Sequence, residues 1–160
     1  MTRFRSVRML CAVMLIGVMS QAAFAQAPAA PAPQALTYEM AVQAIDAAEA
    51  EARKNNWNVT IVVTDAAGIP VMLRRLNGAS ARSYDIAMRK AATVVASKLT
   101  TAEYGAQLKS KAVMEVPNGI TFAGGVPIMR GPEFIGAVGT SGVTAAQDEI
   151  ISKAGAAVIK

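Results

Sequence analysis

The stretch from Gly124 to Glu149, GGVPIMRGPEFIGAVGTSGVTAAQDE, constrains this chain more than any other. Two apolar runs, Val126 to Arg130 and Phe134 to Thr140, flank Gly131-Pro132-Glu133, and glycine with proline between runs of this kind predicts a hairpin. Gly124, Gly125, Gly136, Gly139 and Gly142 would weaken such strands unless close packing or a ligand uses the missing side chains. Thr144-Ala145-Ala146-Gln147 then has capping-box spacing, with Asp148 and Glu149 in the first helical turn. An antiparallel ribbon therefore feeds directly into a helix. The amides at that helix start could hold an anion, but the two carboxylates already occupy its positive end and favour a purely structural turn.

The N-terminus is read as a targeting segment rather than as part of the fold. Arg3, Arg5 and Arg8 precede an apolar run from Met9 to Met19, and Ala23-Phe24-Ala25 has the form of a cleavage site, so residues 1–25 are expected to be a signal peptide. Its apolar core is short for a membrane span. The Ala/Pro linker 26–35, QAPAAPAPQA, follows, and 36–160 is the expected single domain. Removing the leader leaves 13 basic against 11 acidic residues, a net charge of +2, with no cationic cluster to suggest nucleic acid. Cys11 leaves with it. With no histidine in the chain and no mature cysteine, zinc sites, iron–sulfur clusters and Ser-His-Asp or Cys-His catalysis are excluded. The expected location is the periplasm or outside the cell, with no membrane span in the mature chain.

Helical spacing of Tyr38, Ala41, Val42, Ile45, Ala48 and Ala52 predicts a helix from Thr37 to Asn55. Asn58 to Thr64 and Pro70 to Leu76 read as strands joined by the turn residues Asp65 to Gly68. Alternation gives each face of the second strand one arginine, Arg74 or Arg75, and one of the two is expected to reach a carboxylate. Asn77-Gly78-Ala79 ends that strand, and Ser80 or Ser83 caps a helix with Tyr84, Ala87, Met88, Ala91 and Val95 on one stripe. Asp85 and Arg89 pair one turn apart, while Lys90 is expected to lay its stem on apolar surface and carry its ammonium to a rim. Thr100 to Glu103 is a second capping box, opening a helix to about Lys109. Ser110 to Gly119 reads as loop, Ile120 to Phe122 as a short strand, and the last helix turns Ile150, Ile151, Ala154 and Val158 inward. Hairpin-joined strands between blocks of helix give an α+β class with a central antiparallel sheet.

Several blocks together carry a resemblance: Asp65 to Gly68, Arg75-Leu76-Asn77-Gly78-Ala79, Ser83 with Ile86-Ala87 and Lys90-Ala91, Gly124 to Ile128, and Gly136 to Gly142 followed by Gln147-Asp148-Glu149 and Ala154-Gly155. In this order, over essentially all of 36–160, the chain resembles the GlcG/HbpS-like family of bacterial heme-binding proteins (DUF336-type), similar to the C-terminal domain of PduO-type corrinoid adenosyltransferases. The resemblance implies a profilin-like fold, a five-stranded antiparallel sheet flanked by helices, and a homo-oligomer that binds heme, in some relatives exported and linked to iron handling or redox sensing. Thr140 and Val143 depart from the family's glycine loop, and a histidine ligand found in some relatives has no counterpart here.

On that reading the ligand-binding candidates are Arg75, Asn77, Tyr84, Met88, Lys90, Gly124, Gly125 and Met129. Arg75, Lys90 or Lys111 would meet the propionates. Tyr84, Tyr104, Met88, Met114 and Met129 are chemically able to ligate iron in the absence of histidine, although methionines commonly fill core gaps and tyrosines commonly sit at helix edges. Two other functions fit the residues. One is an enzyme on a small organic acid or aldehyde, with Asp65 or Glu149 as base and Arg75 as clamp. The other is an oligomeric accessory or small-molecule-binding protein without heme.

Overall fold

A computed structural model describes residues 35–160; the expected signal peptide and nearly all of the linker lie outside the described residues. Helix α1 (Tyr38–Lys54) begins where Thr37, in extended conformation, accepts the Met40 amide, and it buries Ala41, Ala44, Ile45, Ala48 and Ala52. Strands β1 (Thr60–Asp65) and β2 (Pro70–Arg75) form a hairpin whose turn is held by Asp65, its Oδ1 accepting the amides of Ala67 and Ile69 at 2.9 Å. Helices α2 (Ala81–Ser97) and α3 (Thr101–Lys109) follow, capped by Ser80 and by the complete capping box of Thr100 and Glu103. Strands β3 (Gly125–Arg130) and β4 (Glu133–Ser141) make the second hairpin, and α4 (Ala145–Ala157) opens on the capping box of Thr144 and Gln147.

The four strands lie in the order β2-β1-β4-β3, all antiparallel. In β1 the residues Thr60 to Thr64 are all buried, because helices cover both faces of the sheet's middle. On one side α1 and α4 supply Ile45, Ala48, Ala52 and Ile151 to a core with Val59, Ile61, Val63, Ile128 and Val138. On the other, α2 sets Ala91 and Val94 against Ala137, with Val95 and Phe134 alongside. Proline at Pro70 and Pro127 falls on the two edge strands, where a missing N–H costs no ladder bond.

Three expectations need correction. In α4 only Ile151 of the expected inward set is buried; Ile150 and Val158 are exposed, and the helix instead buries Asp148, Ser152 and Gly155, whose polar or small side chains an apolar stripe does not mark. The sheet has four strands, not five: residues 120–122 are not a strand, because the Ile120 amide is taken by Thr93 Oγ1 on α2 at 2.9 Å rather than by a neighbouring strand. The buried residues of α2 are Ser83, Ala87, Lys90, Ala91, Thr93 and Val94, which leaves Tyr84 half exposed on its flank. A stripe drawn by apolar character alone misses a buried serine, a buried lysine and a buried threonine. The arginine expectation holds for Arg74, whose guanidinium reaches Asp46 at 2.7 Å and Glu49 at 2.6 Å.

Candidate functional site

The glycines of the central stretch admit protein rather than ligand. A Cβ on Gly139 would overlap the Ala87 carbonyl and the Ala91 amide of α2, so the helix rests directly on the β4 backbone. Gly124, at φ +122°, would place a Cβ on the Lys90 ammonium and 2.9 Å from the Thr140 carbonyl. Gly125 is closed in by Thr101, Lys90 and Val94. These corners are filled by the chain's own atoms, so the oily slot that the glycines suggested is not there within the protomer.

What the corner at Gly124 makes room for is a buried ion pair. Lys90 is fully buried, and its Nζ donates to Asp148 Oδ2 at 2.7 Å and to the Thr140 carbonyl at 2.8 Å, with the Phe122 ring centroid 5.0 Å away. The expectation that Lys90 carries a free ammonium to a rim is thereby corrected: its stem passes the glycines and ends on α4. Asp148 Oδ1 in turn accepts the Val143 amide at 3.2 Å, so this carboxylate closes the start of α4 as well as pairing with the lysine. Beside it, Ser152 Oγ lies 2.8 Å from both Gly124 O and Thr140 Oγ1. Burial pushes the Lys90 ammonium below the usual lysine range, and the Asp148 carboxylate draws it back. Burial likewise raises Asp148, opposed by Lys90 and by the amides of Val143 and Gly142. The pair joins helices on opposite faces of the sheet and offers no proton to an incoming molecule.

The other expected residues are dispersed. Arg75 is exposed and donates through Nε and Nη2 to the Ala79 carbonyl, at 3.1 and 2.6 Å, bracing the bend after β2. Asn77 lines a small cleft with Trp57, Asn58 and Arg53. Tyr84 and Met88 lie on the outer flank of α2, and Met129 is 39% exposed on the edge strand β3. Asp65 is committed to its turn, and Glu149 pairs with Lys153 at 2.9 Å, so neither stands as a free base beside Arg75. Among the described residues no group of histidine, cysteine, aspartate and glutamate could hold a metal ion, and no helix is long and apolar enough to cross a membrane.

The roomiest of the clefts described, ≈ 490 Å³, lies where the C-terminal end of α2 meets the 113–117 loop, lined by Ala96, Ser97, Val113, Met114, Val116 and Pro117 among others. That volume is in the range of small-molecule sites. Its shape depends on Tyr104, which is buried in α3 and accepts the Val116 amide on its phenol oxygen at 2.8 Å. Tyr104 is thus a structural strut rather than an open ligand. Met114, by contrast, is 89% exposed, so core filling does not account for it. The sequence marks this segment only as loop; the signal it carries is a thioether and a valine pair placed where no regular element buries them.

A family model described as haem degrading protein HbpS-like matches residues 36–157. The chain is 36% identical over 108 residues to protein GlcG of Escherichia coli K12, covering 66% of this chain and 81% of that protein. It is 31% identical over 124 residues to an uncharacterized 15.0 kDa protein from the dhaT-dhaS intergenic region of Citrobacter freundii, covering 74% and 87%. Among solved structures, a double mutant of Streptomyces reticuli HbpS superposes with a TM-score of 0.74 at 28% identity, covering 93% of this chain and 99% of that one. The complex of PduOC with heme superposes with a TM-score of 0.68 at 28% identity, covering 79% and 96%.

Proposed function

The chain belongs to the HbpS-like family of haem degrading proteins, and from that premise we propose that it is an exported heme-binding protein, holding a tetrapyrrole in the cleft between α2 and the 113–117 loop. The observation that carries this reading is the exposed Met114 on the lining of the roomiest of the clefts described. A macrocycle supplies the iron and its redox chemistry when bound; the residues here supply an oily wall and a thioether. Val113, Val116 and Pro117 offer apolar contact to a macrocycle, and the Met114 thioether would be the sulfur within its reach. Lys111, exposed three residues before Met114, is the cation suited to a propionate, while Glu115 on the same lining directs the propionates away from its own side. Arg75, Asn77, Tyr84, Met88 and Met129 lie elsewhere on the surface and would reach the same ligand only from a second protomer.

A homo-oligomer is part of this proposal. Strand β2 has an unpaired edge, and Leu73 and Ile69 beside it are 39% and 62% exposed. We read the layering of helices on both faces of the sheet as profilin-like, and the leader as cleaved after Ala25 on export to the periplasm or beyond. Hemin titrated into the purified protein should give a saturable Soret shift, and Met114→Ala should alter the position of that band and weaken binding. An absorbance difference that simply tracks free hemin would refute heme binding. A normal Soret band in Met114→Ala would refute this cleft. The mass of the protein recovered from its native compartment tests the cleavage site.

A further inference from the structure

At the opposite end of α2 lies a second cleft, of ≈ 230 Å³, between the helix start and the end of β4, lined by Ser80, Arg82, Ile86, Ser141 and Gly142 among others. Three features there are unspent. Ser141 is only 6% exposed and lines this cleft, yet its hydroxyl has no hydrogen-bond partner among the described residues. Its direction follows from strand alternation: Thr140 sends its hydroxyl to Ser152 on α4, so Ser141 faces α2. Arg82 is exposed and makes no ion pair among the described residues. The first amides of α2 have no intrahelical acceptors, and that first turn contains no acidic residue. The nearest carboxylate along the helix, Asp85, lies 3.7 Å from Arg89.

The neighbouring groups are already committed. Ser83 donates to the Ser80 carbonyl and shares a 2.7 Å bond with Thr60, and its amide is taken by Ser80. On the β4 side the amides of Gly142 and Val143 are turned to Asp148. What remains lining the cleft is an arginine, the unpartnered hydroxyl of Ser141 and the free first amides of a 17-residue helix, all donors to an oxyanion. Ile86 adds one apolar wall.

We propose that this cleft is a binding site for a small carboxylate with a short apolar tail, the carboxylate held by Arg82, Ser141 and the α2 amides, and the tail lying on Ile86. It is separate from the proposed heme cleft: the two stand at opposite ends of a helix roughly 25 Å long, so either can fail without the other. The test is an amide-resolved NMR titration of the purified protein with propionate, acetate and inorganic phosphate. Propionate should saturate, with shifts centred on Ala81, Arg82, Ser141 and Gly142, and bind more tightly than acetate or phosphate. Arg82→Gln and Ser141→Ala should each weaken it about tenfold or more, the worth of a charge-assisted hydrogen bond, without lowering the melting temperature, since neither side chain has a partner in the fold. Shifts linear in concentration throughout, phosphate binding tighter than propionate, or unchanged affinity in both variants would each overturn the assignment.

Discussion

Replacing Asp148 by alanine should unbalance the centre of the molecule, because it strands a fully buried ammonium. Lys90 Nζ would keep the Thr140 carbonyl and the Phe122 ring but lose its counter-ion. Leaving one member of a buried pair uncompensated costs about 3–5 kcal/mol, which for a domain of this size lowers the melting temperature by roughly 12–20 °C. The reciprocal change is milder. In Lys90→Met an unbranched side chain fills the same channel, and Asp148 keeps the amide of Val143 and a position at a helix start. A cost of about 1–3 kcal/mol is expected there. The double variant Lys90→Met with Asp148→Ala should therefore be more stable than Asp148→Ala alone by roughly 2 kcal/mol, since it no longer buries an unpaired charge. Urea and thermal unfolding followed by circular dichroism measure all four proteins. If Asp148→Ala costs under about 1 kcal/mol, or if the double variant loses the sum of the singles, the pair does not hold the two helical layers together as described.

Tyr104→Phe removes the acceptor of the Val116 amide, so it should cost about 1–2 kcal/mol and, in a hemin titration, weaken binding by loosening the loop that shapes the cleft. Thr64 is buried with a hydroxyl that has no partner among the described residues; Thr64→Val should therefore stabilise the domain by about 1 kcal/mol in denaturant titration, and a loss would show that the hydroxyl is satisfied. For Glu49, burial raises the carboxyl, but the bonds from Arg74 and Arg53 outweigh it and hold the group below its ordinary range. A lowered folded value means its stabilisation is complete above the unfolded value of about 4.3 and is lost as pH falls through the folded one. Unfolding midpoints of Glu49→Gln should thus fall less steeply than wild type below about pH 4; parallel curves would contradict this.

Local signals were the legible ones. The capping boxes at Thr100 and Thr144, the Asp65 turn and the alanine-rich face of α1 each depend on residues within a few positions, and all appear where spacing placed them. Long-range chemistry was not. Lys90 sits among apolar neighbours in its own helix, and nothing nearby in the chain announces a carboxylate 58 residues on. The glycines were visible as gaps, but a gap does not say whether a helix or a ligand fills it; at Gly139 the answer is the α2 backbone. The missing fifth strand has the same origin, a threonine on α2 claiming the amide that a strand would have paired. Of the expected site residues, Met114 alone gained weight from exposure, a property that composition cannot supply.

The crossing of the Lys90 stem past Gly124 also limits how this protein can drift. Any side chain at 124 would collide with the ammonium, and any loss of the aspartate leaves that ammonium stranded, so positions 90, 124 and 148 are locked into one inherited unit. Even an oily replacement for the ion pair would have to keep the glycine, because at φ +122° and 2.9 Å from the Thr140 carbonyl a side chain at 124 is strained whatever occupies positions 90 and 148.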